Sequence, residues 1–159
     1  MANVTTAAQL FHLLRRQVHQ QAMKPLVLLT PKRYLRAREA HSPVGELTDG
    51  EFKEVLDDAA ADPAQVRRVV LASGKVGLDL TVARDEREAG HVAVVRVEQL
   101  YPWPDAALVS VLSRYPAAAG VVWAQEEPAN MGAWPFVREW LPGSAGGRPV
   151  TLVGRPASG

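Results

Sequence analysis

The sequence predicts an open, mostly parallel α/β sheet with helices on both faces, and three observations point to it. Two short apolar runs, Val92–Val97 and residues 120–124 (GVVWA), flank a helix-like stretch that opens at Pro104-Asp105 and closes at Tyr115-Pro116. Strand, helix, strand at that spacing is a crossover unit with parallel strands buried on both faces. From residue 66 to residue 153 strands and helices alternate, the order of an open sheet wrapped on both sides. Composition agrees, since 47% hydrophobic and 22% charged residues are the proportions of an ordinary globular domain.

The elements follow in order. Thr5-Thr6 precede a helix over 7–21, with Leu10, Leu13, Leu14 and Val18 spaced along one face. Arg15, Arg16 and His19 lie toward its C-terminal half, where the helix dipole favours positive charge. Lys24-Pro25 stop it, and 26–30 reads as a buried strand ended by Pro31. Residues 31–45 carry Lys32, Arg33, Arg36, Arg38 and two prolines, the composition of a surface linker anchored by Tyr34 and Leu35. Between 46 and 58 the pattern is mixed, with Leu47, Phe52, Val55 and Leu56 able to cover a sheet. Residues 57–65 (DDAAADPAQ) form a loop, 66–72 a strand, and Ser73-Gly74-Lys75 turn into a helix over 76–88 that Gly90 ends. A short helix over 136–140 stops at Leu141-Pro142-Gly143. A last strand follows over 149–153, and 154–159 trail off.

Several function classes drop out. Without cysteine there are no disulfides, thiolate metal sites or thiol nucleophiles. A net charge of +1 gives no overall pull toward nucleic acid, and no apolar run approaches the roughly 20 residues of a membrane span. The first residues lack a basic and an apolar signal-peptide region, so the expectation is a cytoplasmic protein. His12, His19, His41 and His91 show no metal-ligand spacing. No nucleophile elbow or dinucleotide fingerprint is present.

Three clusters remain. Ser73-Gly74-Lys75, at a strand-to-helix turn, fits an anion site made by helix N–H groups and a lysine. It equally fits a tight turn with a Ser cap, and spacing alone favours the turn. Arg15, Arg16, Lys24, Lys32, Arg33, Arg36 and Arg38 suit a polyanion such as a nucleotide phosphate, or a solvated face. Gln125-Glu126-Glu127-Pro128 ends the second apolar strand, where a parallel sheet places its functional edge. Adjacent strand residues point to opposite faces, so one of Glu126 and Glu127 is expected inward and the other outward. An interface or structural role outweighs acid–base chemistry there. Trp103, Trp123, Trp134 and Trp140 are core or interface anchors, without the interleaved basic residues of a nucleic-acid platform.

Read together, several stretches resemble the C-terminal part of the E1 component of 2-oxoglutarate dehydrogenase. They are TTAAQLFHLLRRQ at 5–17, KPLVLLTPKRYLR at 24–36, Ser73-Gly74-Lys75, VRVEQLY at 95–101, Arg114-Tyr115-Pro116, QEEPANMGAWP at 125–135 and GRPAS at 154–158. The resemblance implies a transketolase-like C-terminal domain over 46–159, with 1–45 closing the middle, pyrimidine-binding domain and adding a basic linker. It also implies a chain truncated at both ends. The family decarboxylates 2-oxoglutarate in the tricarboxylic acid cycle with thiamine diphosphate and magnesium, and passes a succinyl group to the lipoyl domain of the E2 succinyltransferase. The motifs for that cofactor and metal belong to a domain outside this stretch, so no catalytic, cofactor-binding or metal residue carries over. What does carry over is a homodimer contact, placed at Trp123, Gln125, Glu126, Glu127 and Trp134. An acetyl-CoA effector site carries over as well, at Arg16, Lys24, Ser73, Gly74 and Lys75. Lys24 stands where the family has arginine, keeping charge without bidentate geometry. A free-standing acyl-CoA or nucleotide-binding module and a 2-oxoadipate dehydrogenase E1 are the alternatives. In a fragment of this kind Leu13, Leu14, Leu26 and Leu28 are expected to lack partners.

Overall fold

In the computed structural model, which describes residues 1–21, 24–32 and 36–159, five strands form one sheet. They are β1 (Val55–Leu56), β2 (Arg68–Ala72), β3 (Val92–Val97), β4 (Val121–Pro128) and β5 (Val150–Arg155), in the order β1-β3-β2-β4-β5. β3, β2, β4 and β5 are mutually parallel, and β1 adds an antiparallel edge through Val55 opposite Val97. The helices are α1 (Ala7–His19), α2 (Val44–Thr48), α3 (Lys75–Glu86), α4 (Asp105–Ser113) and α5 (Trp134–Ser144).

Strand parity sorts them into layers. Val69, Leu71, Val95, Val97, Val121 and Trp123 are buried in one cluster with Leu108 and Leu112 of α4 and Val137 and Leu141 of α5. α3 lies on the opposite face, where its Gly77 sits against the Ala72 and Arg96 side chains. β2, β3 and the first part of β4 are near-continuous Val/Leu/Ala runs because both of their faces are covered, whereas the edge strand β5 is half-buried to exposed.

β2 has β3 on one side and β4 on the other. The chain leaves β2 for β3, then crosses back over β2 to β4. This reversal opens a crevice between the C-terminal ends of β2 and β4, where open α/β sheets place their ligands.

A second, smaller core joins the first fifty residues to this sheet. Ala2, Val4, Leu13 and Phe52 are buried together, with Leu10, Leu26 and Leu28 packed against them. Residues 1–5 run beside 98–101. The Asn3 N–H donates to the Glu98 carbonyl at 2.8 Å, and the Leu100 N–H to the Met1 carbonyl at 3.0 Å.

Several sequence expectations need correction. The stretch 26–30 is not a buried strand: only Leu28 forms a bridge, to Ala2, and Val27 and Leu29 are exposed. Leu13 does not lack partners, being 1% exposed, and Leu26 and Leu28 are half-buried. Leu14 is exposed as expected. α1 is rotated relative to its leucine stripe and buries Ala8, Gln9, His12 and Leu13. Its polar members find main-chain partners. Gln9 exchanges bonds with the Lys53 carbonyl (2.5 Å) and N–H (3.1 Å), and the His12 Nε2–H donates to the Glu46 carbonyl at 2.7 Å.

α5 runs through Pro142 instead of stopping before it. The proline falls in the last turn, where it forfeits a single bond. Burial of Leu141, Ser144 and Ala145 holds that turn in place. β5 continues past 153 because Arg155 pairs with Pro128 and its carbonyl takes the Ala129 N–H at 3.0 Å. In the linker, Arg38–Ala40 form a 3₁₀ turn with Ala40 buried, while Arg33, Tyr34 and Leu35 lie outside the described residues.

Candidate functional site at the sheet's switch point

The crevice between β2 and β4 is organised by Gln125. Its side chain is buried, and every polar atom it carries is used. Oε1 accepts from the Trp123 indole N–H at 3.1 Å and the Trp134 N–H at 2.9 Å. Nε2 donates to the carbonyls of Glu127 (3.3 Å), Pro128 (3.1 Å) and Met131 (2.9 Å). One amide thus shapes the whole loop from 128 to 134, a fully satisfied network of the kind that rigidifies a site. Inside that loop Gly132, at φ +65°, lies so close to Glu127 that a Cβ would stand 2.9 Å from the Glu127 Cβ.

The expected inward–outward split of Glu126 and Glu127 does not occur, because both are exposed and the inward residue is Gln125. An irregularity in the pairing between Ala124 and Pro128 breaks the simple alternation. Glu126 reaches across the crevice to the Lys75 Nζ at 2.9 Å. Lys75 also bonds Asp79 one turn along α3. These two hydrogen bonds, Asp79 first, raise the Lys75 pKa above that of a free lysine and hold its charge in place. Ser73 spends its hydroxyl on the Val97 carbonyl at 2.9 Å, tying the end of β2 to β3.

Gly74 is required twice over. Its φ of +68° and ψ of −141° lie where side chains are strained. A Cβ there would also stand 2.2 Å from the Asn3 Nδ2. Gly74→Ala is therefore expected to cost about 1–3 kcal/mol and to push residues 1–5 off the sheet. A urea titration checks the cost, and unchanged stability would mean the turn relaxes freely.

Above these residues lies a cavity of about 220 Å³, with Ser73, Gln125, Glu127 and Gly132 on one side and Met1, Asn3 and Leu100 on the other. Asn3 was not singled out in the sequence, yet it covers Gly74 and its buried Oδ1 has no partner among the described residues. A lone asparagine near a chain start carries no pattern that would have marked it.

The remaining candidate residues are placed as follows. Arg16 sits at the junction of α1 with the sheet. Its guanidinium lies 4.3 Å from the Phe52 ring centroid, 3.5 Å from Glu54, and donates to the Gln99 Oε1 at 2.6 Å. Lys24 is exposed and its carbonyl accepts from Gln17 Nε2. Trp123 is buried, Trp134 half-buried and Trp140 51% exposed. Phe136 ties Tyr101, Trp103 and Trp140 into an aromatic group, with ring centroids 6.1–6.4 Å from its own. Among the described residues no group of three or more His, Asp or Glu side chains is placed to hold a metal ion. No helix among them is long and apolar enough to cross a membrane.

The fold is thus that of an open, mostly parallel α/β domain with its candidate site at the switch point and no acid–base or metal constellation in it. Comparison with known proteins gives the family. The family described as 2-oxoglutarate dehydrogenase C-terminal matches residues 41–159. A 2-oxoglutarate dehydrogenase E1 component of Cupriavidus necator is 47% identical over 97% of this chain and 16% of its own length. E1 components of Shouchella clausii and Brucella anthropi are 40% and 45% identical, over 98% and 99% of the chain and 17% of their own lengths. The chain belongs to the 2-oxoglutarate dehydrogenase C-terminal family. It corresponds to the C-terminal part of an E1 component and spans about a sixth of the length of these relatives.

Proposed function

We propose that this chain is the assembly and effector-sensing part of a 2-oxoglutarate dehydrogenase E1 subunit. In this reading the parent enzyme carries out thiamine diphosphate-dependent decarboxylation of 2-oxoglutarate and works with an E2 succinyltransferase. The observation that carries the reading is the match along almost the whole chain to E1 components six times its length. Among the described residues no cluster of three or more His, Asp or Glu side chains is placed to hold the cofactor's metal. No step of the decarboxylation is assigned to them.

The dimer contact is proposed for the C-terminal end of β4 and the loop after it, at Trp123, Gln125, Glu126, Glu127 and Trp134, of which Gln125 and Trp123 act from beneath by shaping the loop. The effector site is proposed for Arg16, Lys24, Ser73, Gly74 and Lys75, with acetyl-CoA as ligand. The supporting feature is the start of α3 just after the C-terminal end of β2, where the first helix N–H groups adjoin Lys75 and its partner Glu126 at the end of β4. Lys75 is already bound to Glu126 and Asp79, so an anion arriving there competes with two carboxylates.

Two outcomes follow. The purified 159-residue chain, supplied with thiamine diphosphate, magnesium and 2-oxoglutarate, releases no carbon dioxide above background; release would overturn the assembly role. In titration calorimetry acetyl-CoA binds, Lys75→Ala or Arg16→Ala weakens it at least tenfold, and Glu126→Gln strengthens it by removing one of the two carboxylates that compete for Lys75. Equal affinity in all four proteins would remove the effector site and leave the assembly role standing.

A further inference from the structure

We propose that Glu98 is a proton-controlled latch, holding residues 1–5 and α1 against the sheet and loosening as its carboxyl ionises. Glu98 lies just past the end of β3 and is 0% exposed. Both of its oxygens face the incoming N-terminal segment. The Thr5 N–H donates to Oε2 at 2.8 Å and the Thr5 hydroxyl to Oε1 at 2.5 Å. Its main chain holds the same segment, because its carbonyl takes the Asn3 N–H. One residue therefore carries three of the bonds that dock residues 1–5.

The charges around it are spent elsewhere. Arg96, two residues back on β3, aims its Nη1 at the Thr5 Oγ1, 3.0 Å away. The Glu54 carbonyl accepts the Glu98 N–H, and the Glu54 carboxylate pairs with Arg16 and accepts from Gln99. From α1, Gln9 contributes a neutral donor. The Met1 ammonium bonds the Tyr101 carbonyl. Among the described residues no ion pair reaches Glu98. A fully buried carboxylate without an ion-pair partner is costly, whereas the neutral acid is not.

Burial accordingly pushes the Glu98 carboxyl up to about 7, against the opposing pull of the Thr5 hydrogen bonds, Arg96 and Gln9. The sign follows. A carboxyl whose pKa is higher in the docked state binds more protons there. Its contribution is fully present below the ordinary carboxylate range and is lost as pH rises through about 7. Met1 and Asn3 also wall the cavity over the switch point, so release of the latch unroofs it.

The test is amide hydrogen exchange of the 159-residue chain at pH 6 and pH 8, read as protection factors so that the intrinsic pH dependence is divided out. Asn3, Leu29 and Leu100 report docking, since their N–H groups bond the Glu98, Ala2 and Met1 carbonyls. Val121, bonded to Pro149 within the sheet, is the reference. Relative to Val121, the three protection factors are expected to fall about tenfold from pH 6 to pH 8. Glu98→Gln should abolish the fall while leaving His12, the buried imidazole on α1, unchanged. Thr5→Val keeps the backbone donor and removes the hydroxyl, and should make the fall steeper than in the parent chain. Equal protection at both pH values, a fall that survives Glu98→Gln, or a Thr5→Val fall no steeper than the parent's would each overturn the proposal.

Discussion

Asp58→Ala should lower the unfolding free energy by about 3–5 kcal/mol, the penalty for stranding one member of a buried ion pair. Asp58 and Arg84 have side chains only 4% and 7% exposed and pair directly with one another. The Asp58 Oδ2 also accepts the Val94 N–H at 2.8 Å, and Oδ1 the Ala60 N–H at 3.1 Å. Asp58 thus fastens the 57–65 loop to α3 and to β3 at once. Removing it leaves the Arg84 guanidinium buried with, among the described residues, Asp85 alone, 62% exposed, to answer it. For a domain of this size the midpoint of thermal unfolding should fall by roughly 6–20 °C. Asp58→Asn keeps an acceptor for Val94 and should cost less. The decisive comparison is a double-mutant cycle. Asp58→Ala with Arg84→Met removes both charges and should be far less damaging than the sum of the two single changes, whereas strict additivity would show that the pair is not coupled. The neighbouring bridge from Asp57 to Arg114 and Tyr115 is more open, since the Arg114 side chain is 55% exposed, and should matter less.

The contrast between these two aspartates marks the limit of what could be read from the sequence. Residues 57–65 have the composition of a loop and do form one, but composition cannot distinguish a solvated aspartate from one that closes a buried pair 26 residues away. Glu98 poses the same difficulty, as a carboxylate continuing the apolar run of β3 that looks like the strand's emergence into solvent. Its burial depends on partners far off in the chain, Thr5 among them, 93 residues earlier.

The alternation of strands and helices from β2 to β5 was legible, since the strands are short and β2, β3 and the first part of β4 are apolar and largely buried. The place of the charged cluster was legible too, because the charge after 124 falls at the C-terminal end of β4. Residues 26–30 failed as a strand because sheet formation needs a neighbour, and Ala2 alone supplies one. α1 kept Leu13 and Leu10 at the core but turned Leu14 and Val18 out, because Gln9 and His12 found main-chain partners in 46–53, a match that helical periodicity does not contain.

The candidate site was half-read for a related reason. The sequence marked Gln125, Glu126 and Glu127 as one charged cluster closing β4, but nothing in the pattern set the uncharged Gln125 apart as the residue that builds the loop. Its importance rests on Trp123, which leads to the other large expected effect. Trp123 is 1% exposed in the main core, between the sheet and the α4–α5 layer. Trp123→Ala removes that ring and opens a cavity the surrounding helices can only partly close, at an expected cost of about 3–5 kcal/mol. It also deletes the donor that fixes the Gln125 Oε1, leaving the Trp134 N–H as that oxygen's other partner. The loss should therefore appear twice. Urea unfolding should shift for the whole domain, and amide protection of Met131 and Trp134 should fall further than that of Val121. Trp123→Phe separates the two contributions. It retains most of the buried ring, should cost about 1–3 kcal/mol, and still lacks the indole donor. If the phenylalanine variant keeps the 128–134 loop fully protected, the Trp123–Gln125 bond is not what orders the switch-point edge, and packing alone sets it. If the loop loosens while the sheet stays intact, the edge depends on that single hydrogen bond, and any partner or ligand engaging it meets a surface organised from beneath by Gln125.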